Sequence, residues 1–213
     1  MNRGIIATLR DIVPLRPLTR EEALRIAELQ ALRFLELSGI TCGPVPEDII
    51  ADLPRVQVGR MSPLPVSGAT HWASQRWLIV LNGAEPATRQ RFSLAHEFKH
   101  ILDHRFMDVL YRNIPESARH DAVEQVCDYF AGCLLMPRPW LKKAWGERVQ
   151  TLDALAARFE TSQAAMSVRL QQVGLAKQAP RCVNDTTGWA LPSLVPALDT
   201  WTYRRAPSLA GAM

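Results

Sequence analysis

The chain has 213 residues, a formal net charge of +4, 47% apolar and 22% charged side chains, which suits one large globular domain or a domain with a small appendage, with a core that needs no disulfide or metal staple. The basic residues are scattered, so charge does not argue for a nucleic-acid partner. No run approaches the roughly 18 consecutive apolar residues of a membrane span, and the opening MNRGIIATLRDIVPLRPLTR lacks the apolar core of a signal peptide.

After an irregular, proline-containing start, Thr19 and Glu22 form a capping-box pattern. They open a helix whose apolar positions, from Ala23 and Ile26 to Leu37, recur at helical spacing, with Gly39 as its stop. A short helix after Pro46 takes in Ile49, Ile50 and Leu53. From Val56 to Asn82 the pattern turns to alternation and β-branched or aromatic runs (PVSGATHW, WLIVLN), which predicts two or three short strands joined by hairpins and ended by Asn82-Gly83.

Helical spacing resumes in ATRQRFSLAHEFKHILDH, with Phe92, Leu94, Ala95, Phe98, Ile101 and Leu102 as a buried set. After a polar loop around Asn113 to Ser117, a helix is expected from about Asp121 to Leu135, stopping before Met136-Pro137. TLDALAARF and QAAMSVRLQQV form a pair of helices. The tail from about Gln178 is rich in Ala, Pro and Thr, with isolated Trp189 and Trp201. The four cysteines, Cys42, Cys127, Cys133 and Cys182, include no CxxC. Cys127 and Cys133 fall on one predicted helix about 9 Å apart along its axis, beyond disulfide reach. They read as free thiols in a reducing compartment, with the cytoplasm as the default.

His96-Glu97-Phe98-Lys99-His100 is an HExxH pattern on a predicted helix. Residues four apart share a helical face, so both imidazoles can converge on one ion, and Glu97 projects beside them as a base rather than a ligand. Zinc in such a place polarises the scissile carbonyl and lowers the pKa of water. An accidental match is the alternative, but unpaired His and Glu on an apolar helix would be costly to bury. His104 lies about 12 Å along the helix from His96, too far to join the same ion. The metzincin pattern is excluded by Asp103 and Phe106, which stand where a glycine and a third histidine are needed. A glutamate from the next helix remains. Glu124 and Asp128 are four apart and share a face; Glu124 would complete a His₂Glu set, and Asp128 could accept the free N–H of a ligand imidazole. The alternative is a plain acidic face with Glu116 and Asp121.

RQRFSLAHEFKHILDH followed by EQVCDYFAGCLLMP resembles the ImmA/IrrE family of metallo-endopeptidases, whose pattern is similar to RxRFTLAHELGH then ExxAxxFAxxLLMP. SGATHW and WLIVLN resemble the strands before that family's active-site helix. The resemblance spans roughly residues 25 to 175. It implies His96 and His100 as zinc ligands, Glu97 as general base and Glu124 as third ligand. Lys99 stands where glycine is common, Ser93 where threonine is, and Cys127 where alanine is. None of the three is expected to touch a ligand, although Lys99 would alter access if it pointed into the cleft.

The expected fold is α+β: a zincin-like metallopeptidase domain over 1–145 with a small antiparallel sheet packed on helices, a helix-turn-helix-like unit over 146–177, and a tail over 178–213. The strand around Ser67 to Trp72 is the expected edge for pairing with a substrate. In the helix pair, Ser162 is the N-cap, Glu160 fills a turn where glycine is usual, and Arg169 is the one strong candidate for DNA among Gln163, Ser167, Gln171 and Gln172. A structural or protein-docking role is favoured over DNA binding. His71, Tyr111 and His120 are oxyanion candidates by type. The resemblance implies a regulatory endopeptidase that cuts a partner helix-turn-helix repressor, in a mobile element or stress response; the competing class is a DNA-binding regulator with a structural or vestigial zinc site, for which Glu97 would have no use.

Overall fold

The computed structural model describes residues 4–175; the tail expected over 178–213, with Cys182, Trp189 and Trp201, lies outside the described residues. Helix α1 (Ile5–Arg10) replaces the irregular start that the sequence suggests. Six residues are too few to hold a helix alone, and tertiary bonds hold this one. Leu9 is fully buried, and its carbonyl accepts from Gln30 Nε2 at 3.0 Å. The Arg10 guanidinium donates to the carbonyls of Ile101 (2.6 Å) and Leu102 (3.2 Å).

Helix α2 (Arg20–Leu37) starts at the expected capping box: Glu22 N–H donates to Thr19 Oγ1 and Thr19 N–H to Glu22 Oε2. Past its end Gly39 takes φ +68°. A short α3 (Asp48–Ala51) leads into β1 (Val56–Met61), β2 (Gly68–Ala73) and β3 (Arg76–Asn82). The expected antiparallel sheet is corrected to a mixed one, with order β1-β3-β2. β2 and β3 form a tight hairpin whose central residues, Ser74 and Gln75, both have positive φ, as a primed turn requires. β1 instead lies parallel to β3, Val56 opposite Trp77 and Met61 opposite Asn82. The most apolar strand is therefore central, with Trp77, Ile79 and Leu81 buried, and β2 is an edge.

Helix α4 (Ala87–Asp103) covers the sheet face that carries Thr70 and Ile79. After a turn of helix, α5 (Met107–Leu110), comes α6 (Glu116–Leu135), which begins five residues before the expected Asp121. Pro115 supplies its N-cap position. Phe34 of α2, Phe98 of α4 and Phe130 of α6 stack through the core, with centroids 4.9 and 6.2 Å apart. Helix α7 (Arg138–Gly146), which periodicity did not single out, has Pro139 in its first turn, where a missing N–H costs nothing. The helix pair is α8 (Leu152–Phe159) and α9 (Gln163–Val173), capped by the hydroxyls of Thr151 and Ser162. Glu160 adopts φ +49° in the turn between them. Residues up to Leu175 pack as one compact unit that includes this pair.

Arg169 anchors the pair and is 1% exposed. Its Nε donates to the Met136 carbonyl (3.0 Å), its Nη1 to Gln172 Oε1 (3.2 Å), and its guanidinium lies over the Tyr129 ring. The expectation that Arg169 is available to bases or phosphates is thus corrected. A guanidinium committed to a buried carbonyl on one side and an aromatic face on the other is structural.

Candidate metal centre

Helical spacing places His96 and His100 on one face of α4, and α6 runs against that helix so that Glu124 meets both. His96 Nε2 lies 3.1 Å from His100 Nε2 and 3.2 Å from Glu124 Oε2, and His100 Nε2 lies 3.3 Å from Glu124 Oε1. Donors set tetrahedrally around an ion at roughly 2.0–2.1 Å would stand roughly 3.3–3.4 Å apart, close to these separations, with each imidazole facing a different oxygen of the Glu124 carboxylate. Imidazole with carboxylate is also the donor chemistry that zinc accepts.

Asp128 lies one turn beyond Glu124, and its Oδ1 is 2.8 Å from His96 Nδ1. That contact turns Nε2 toward the triangle. The histidines and carboxylates of the site pair in charge. Burial pushes the His96 imidazole down, but hydrogen bonds and charge from Asp128 and Glu124 outweigh it and raise the group to about 9. Burial would likewise raise the Glu124 carboxyl, yet bonds from His100 and His96 hold it far below the usual carboxylate range.

Glu97 stands beside the triangle against β2. Its Oε2 accepts from the Thr70 hydroxyl at 2.6 Å. Its side chain lies over Gly68, where an added Cβ would meet Glu97 Cγ at 3.0 Å and Oε1 at 3.1 Å. Sequence reasoning missed Thr70 and Gly68 as site residues. The only signal was their place in SGATHW, 27 positions from Glu97 in the case of Thr70.

Other expected residues fall elsewhere. Lys99 does not face the cleft: it is 1% exposed, and its Nζ donates to Gln30 Oε1 (2.8 Å) and Asp103 Oδ1 (2.6 Å). Tyr111 is buried and donates to Asp103 Oδ2 at 3.3 Å, which removes it from the oxyanion candidates. His71 follows Thr70 on β2 and so points to the opposite sheet face from Glu97. His120 lies four residues before Glu124 on α6, on the same side of that helix. His104 is the C-cap of α4, its ring edge-on to Trp77. Cys127 overturns the expectation that departures from the family pattern touch none of the expected ligands. Its Sγ is 3.6 Å from His100 Nδ1, and its donor atom groups with those of His96 and His100 within 4.8 Å. Burial pushes this thiol up, well above its ordinary range.

The sequence profile of the IrrE N-terminal-like domain (Peptidase_M78) matches residues 56–171, from the start of β1 into α9. Among solved structures, a Mycobacterium tuberculosis transcriptional regulator is similar, with a TM-score of 0.58 at 18% identity, over 84% of this chain and 54% of that chain. The chain spans about half the length of that regulator, and at this identity the likeness concerns the fold alone. No curated protein matches the chain.

Proposed function

Because the chain belongs to the IrrE N-terminal-like family of peptidases, we propose that it is a zinc-dependent endopeptidase with a regulatory target. The observation that carries this reading is the closed triangle of His96 Nε2, His100 Nε2 and the Glu124 carboxylate, with Glu97 beside it. These three residues are the proposed zinc ligands. Zinc, when bound, would supply a Lewis acid that polarises the scissile carbonyl and makes water a competent nucleophile near neutral pH.

The chain's own residues do the rest. Glu97 takes the proton of the attacking water at a carboxylate oxygen and passes it to the departing amine. Thr70 holds Oε2 during that exchange, and Asp128 holds the Nδ1–H of His96. β2, as an edge strand beside Glu97, offers backbone groups to an extended peptide.

The proposed substrate is a helix-turn-helix transcriptional repressor, and the proposed place of work is the cytoplasm. Support for the substrate comes from the ImmA/IrrE resemblance, and support for the compartment from the free thiols of Cys42, Cys127 and Cys133. The rival reading, a DNA-binding regulator with a structural metal, loses support from the burial of Arg169.

The test is metal stoichiometry. The purified chain should hold one zinc; His96→Ala, His100→Ala and Glu124→Ala should each weaken binding, and His104→Ala should not. If His104→Ala loses the metal while Glu124→Ala keeps it, the ligand assignment is wrong.

A further inference from the structure

The two histidines of the triangle are supported differently. Each has Nε2 turned toward Glu124 and Nδ1 turned away. His96 Nδ1 meets the half-exposed carboxylate of Asp128. His100 Nδ1 meets the thiol of Cys127, which is fully buried at the α4–α6 contact. An imidazole whose Nε2 carries a metal has its proton on Nδ1, and there it can only donate.

We propose, on the basis of the zinc reading above, that Cys127 is a positioning residue: its sulfur accepts the Nδ1–H of His100 and so fixes the tautomer and rotation of that ring. Alanine, common at this position in the family pattern, has no acceptor. A carboxylate in the same buried place would bring an uncompensated charge, whereas a neutral thiol brings none. Sγ lies at the Nδ1 edge of the ring, away from the Nε2 that faces Glu124, so the sulfur serves the ligand rather than the ion.

The experiment compares the full chain with Cys127→Ala and Cys127→Ser. Three readouts are taken: zinc affinity by competition with a chelator, exchange of the His100 Nδ1–H in the zinc-loaded protein by nitrogen-15 NMR, and the spectrum with cobalt(II) in place of zinc. Loss of such a partner typically weakens metal binding 10–100-fold, and a thiol is a weak acceptor. Cys127→Ala should therefore weaken zinc about ten-fold and speed exchange of that proton. Cys127→Ser, which keeps an acceptor, should recover part of both, a rescue that a mere packing role would not produce; it also serves if the alanine variant does not fold. Parent-like affinity and exchange in Cys127→Ala overturn the proposal and leave the zinc reading standing. A thiolate-to-cobalt charge-transfer band in the parent, absent from Cys127→Ala, overturns it by making Cys127 a ligand. A parent chain that binds no zinc overturns both.

Discussion

The hydroxyl of Thr70 and the bare Cα of Gly68 together define where the Glu97 carboxylate can lie. A hydrogen bond to a charged group is worth roughly 1.5–3 kcal/mol. Thr70→Val, which keeps the shape and removes the donor, should therefore slow peptide cleavage about ten-fold or more with zinc content unchanged. Cleavage at the parental rate would show that Glu97 needs no such support. Proton linkage gives a second expectation at this scale, for the chelated protein. His96 is raised from 6.5 to about 9, so its contribution to stability is complete below about pH 6.5 and is lost as pH climbs toward 9. Glu124 is lowered from 4.5, so its contribution is present above about pH 4.5 and lost on acidification. The melting temperature of the metal-free protein should fall between pH 6.5 and 9.5, less so in His96→Ala, while zinc affinity rises over the same range as the proton leaves. A melting temperature independent of pH in that window would contradict the pairing of His96 with Asp128 and Glu124.

Helix α4 carries a buried ion pair directly beside the site residues, Lys99 three residues after His96 and Asp103 three after His100. Lys99 and Asp103, four residues apart, are each 1% exposed, and Gln30 and Tyr111 complete their hydrogen bonds. Removing one partner leaves a buried charge and costs about 3–5 kcal/mol, whereas replacing both by apolar groups can be nearly neutral. Lys99→Met alone should lower stability by that order, and Lys99→Met with Asp103→Leu should recover much of it. Denaturant titration of the two variants decides the matter, and equal losses would contradict the pairing. Such pairings show where sequence reading stops. The HExxH helix and its capped neighbour were legible because 3.6-residue spacing and a capping box are local signals. Glu124 and Asp128 could be picked out because they too are four apart on one helix. Lys99, Arg169, Thr70 and Cys127 depend on which helix or strand packs alongside, and a charged or polar letter in a helical pattern reads as exposed until that neighbour is known. The parallel pairing of β1 with β3 was hidden for the same reason, since adjacent strands suggest a hairpin and only the third strand's burial shows which one is central.

At the scale of the whole molecule, the described residues form one compact unit from α1 through α9, and no helix among them is long and apolar enough to cross a membrane. With Arg169 enclosed, the α8–α9 pair should add little sequence-specific DNA affinity. A salt-dependent shift assay should find weak binding that fades as salt rises, and nanomolar binding to one operator at physiological salt would favour the regulator reading instead. A peptidase with a narrow target should cut a cognate repressor at one or a few bonds and leave casein nearly intact; efficient digestion of casein would remove the regulatory part of the proposal but not the peptidase part. The central claim, that Glu97 is the base of a zinc-dependent hydrolysis, is tested most directly by Glu97→Gln, which keeps the side chain's size and removes the base. Zinc content and repressor cleavage are measured on the same preparation. The account predicts one zinc per chain and cleavage reduced about 10²–10⁴-fold; full cleavage by Glu97→Gln would contradict it.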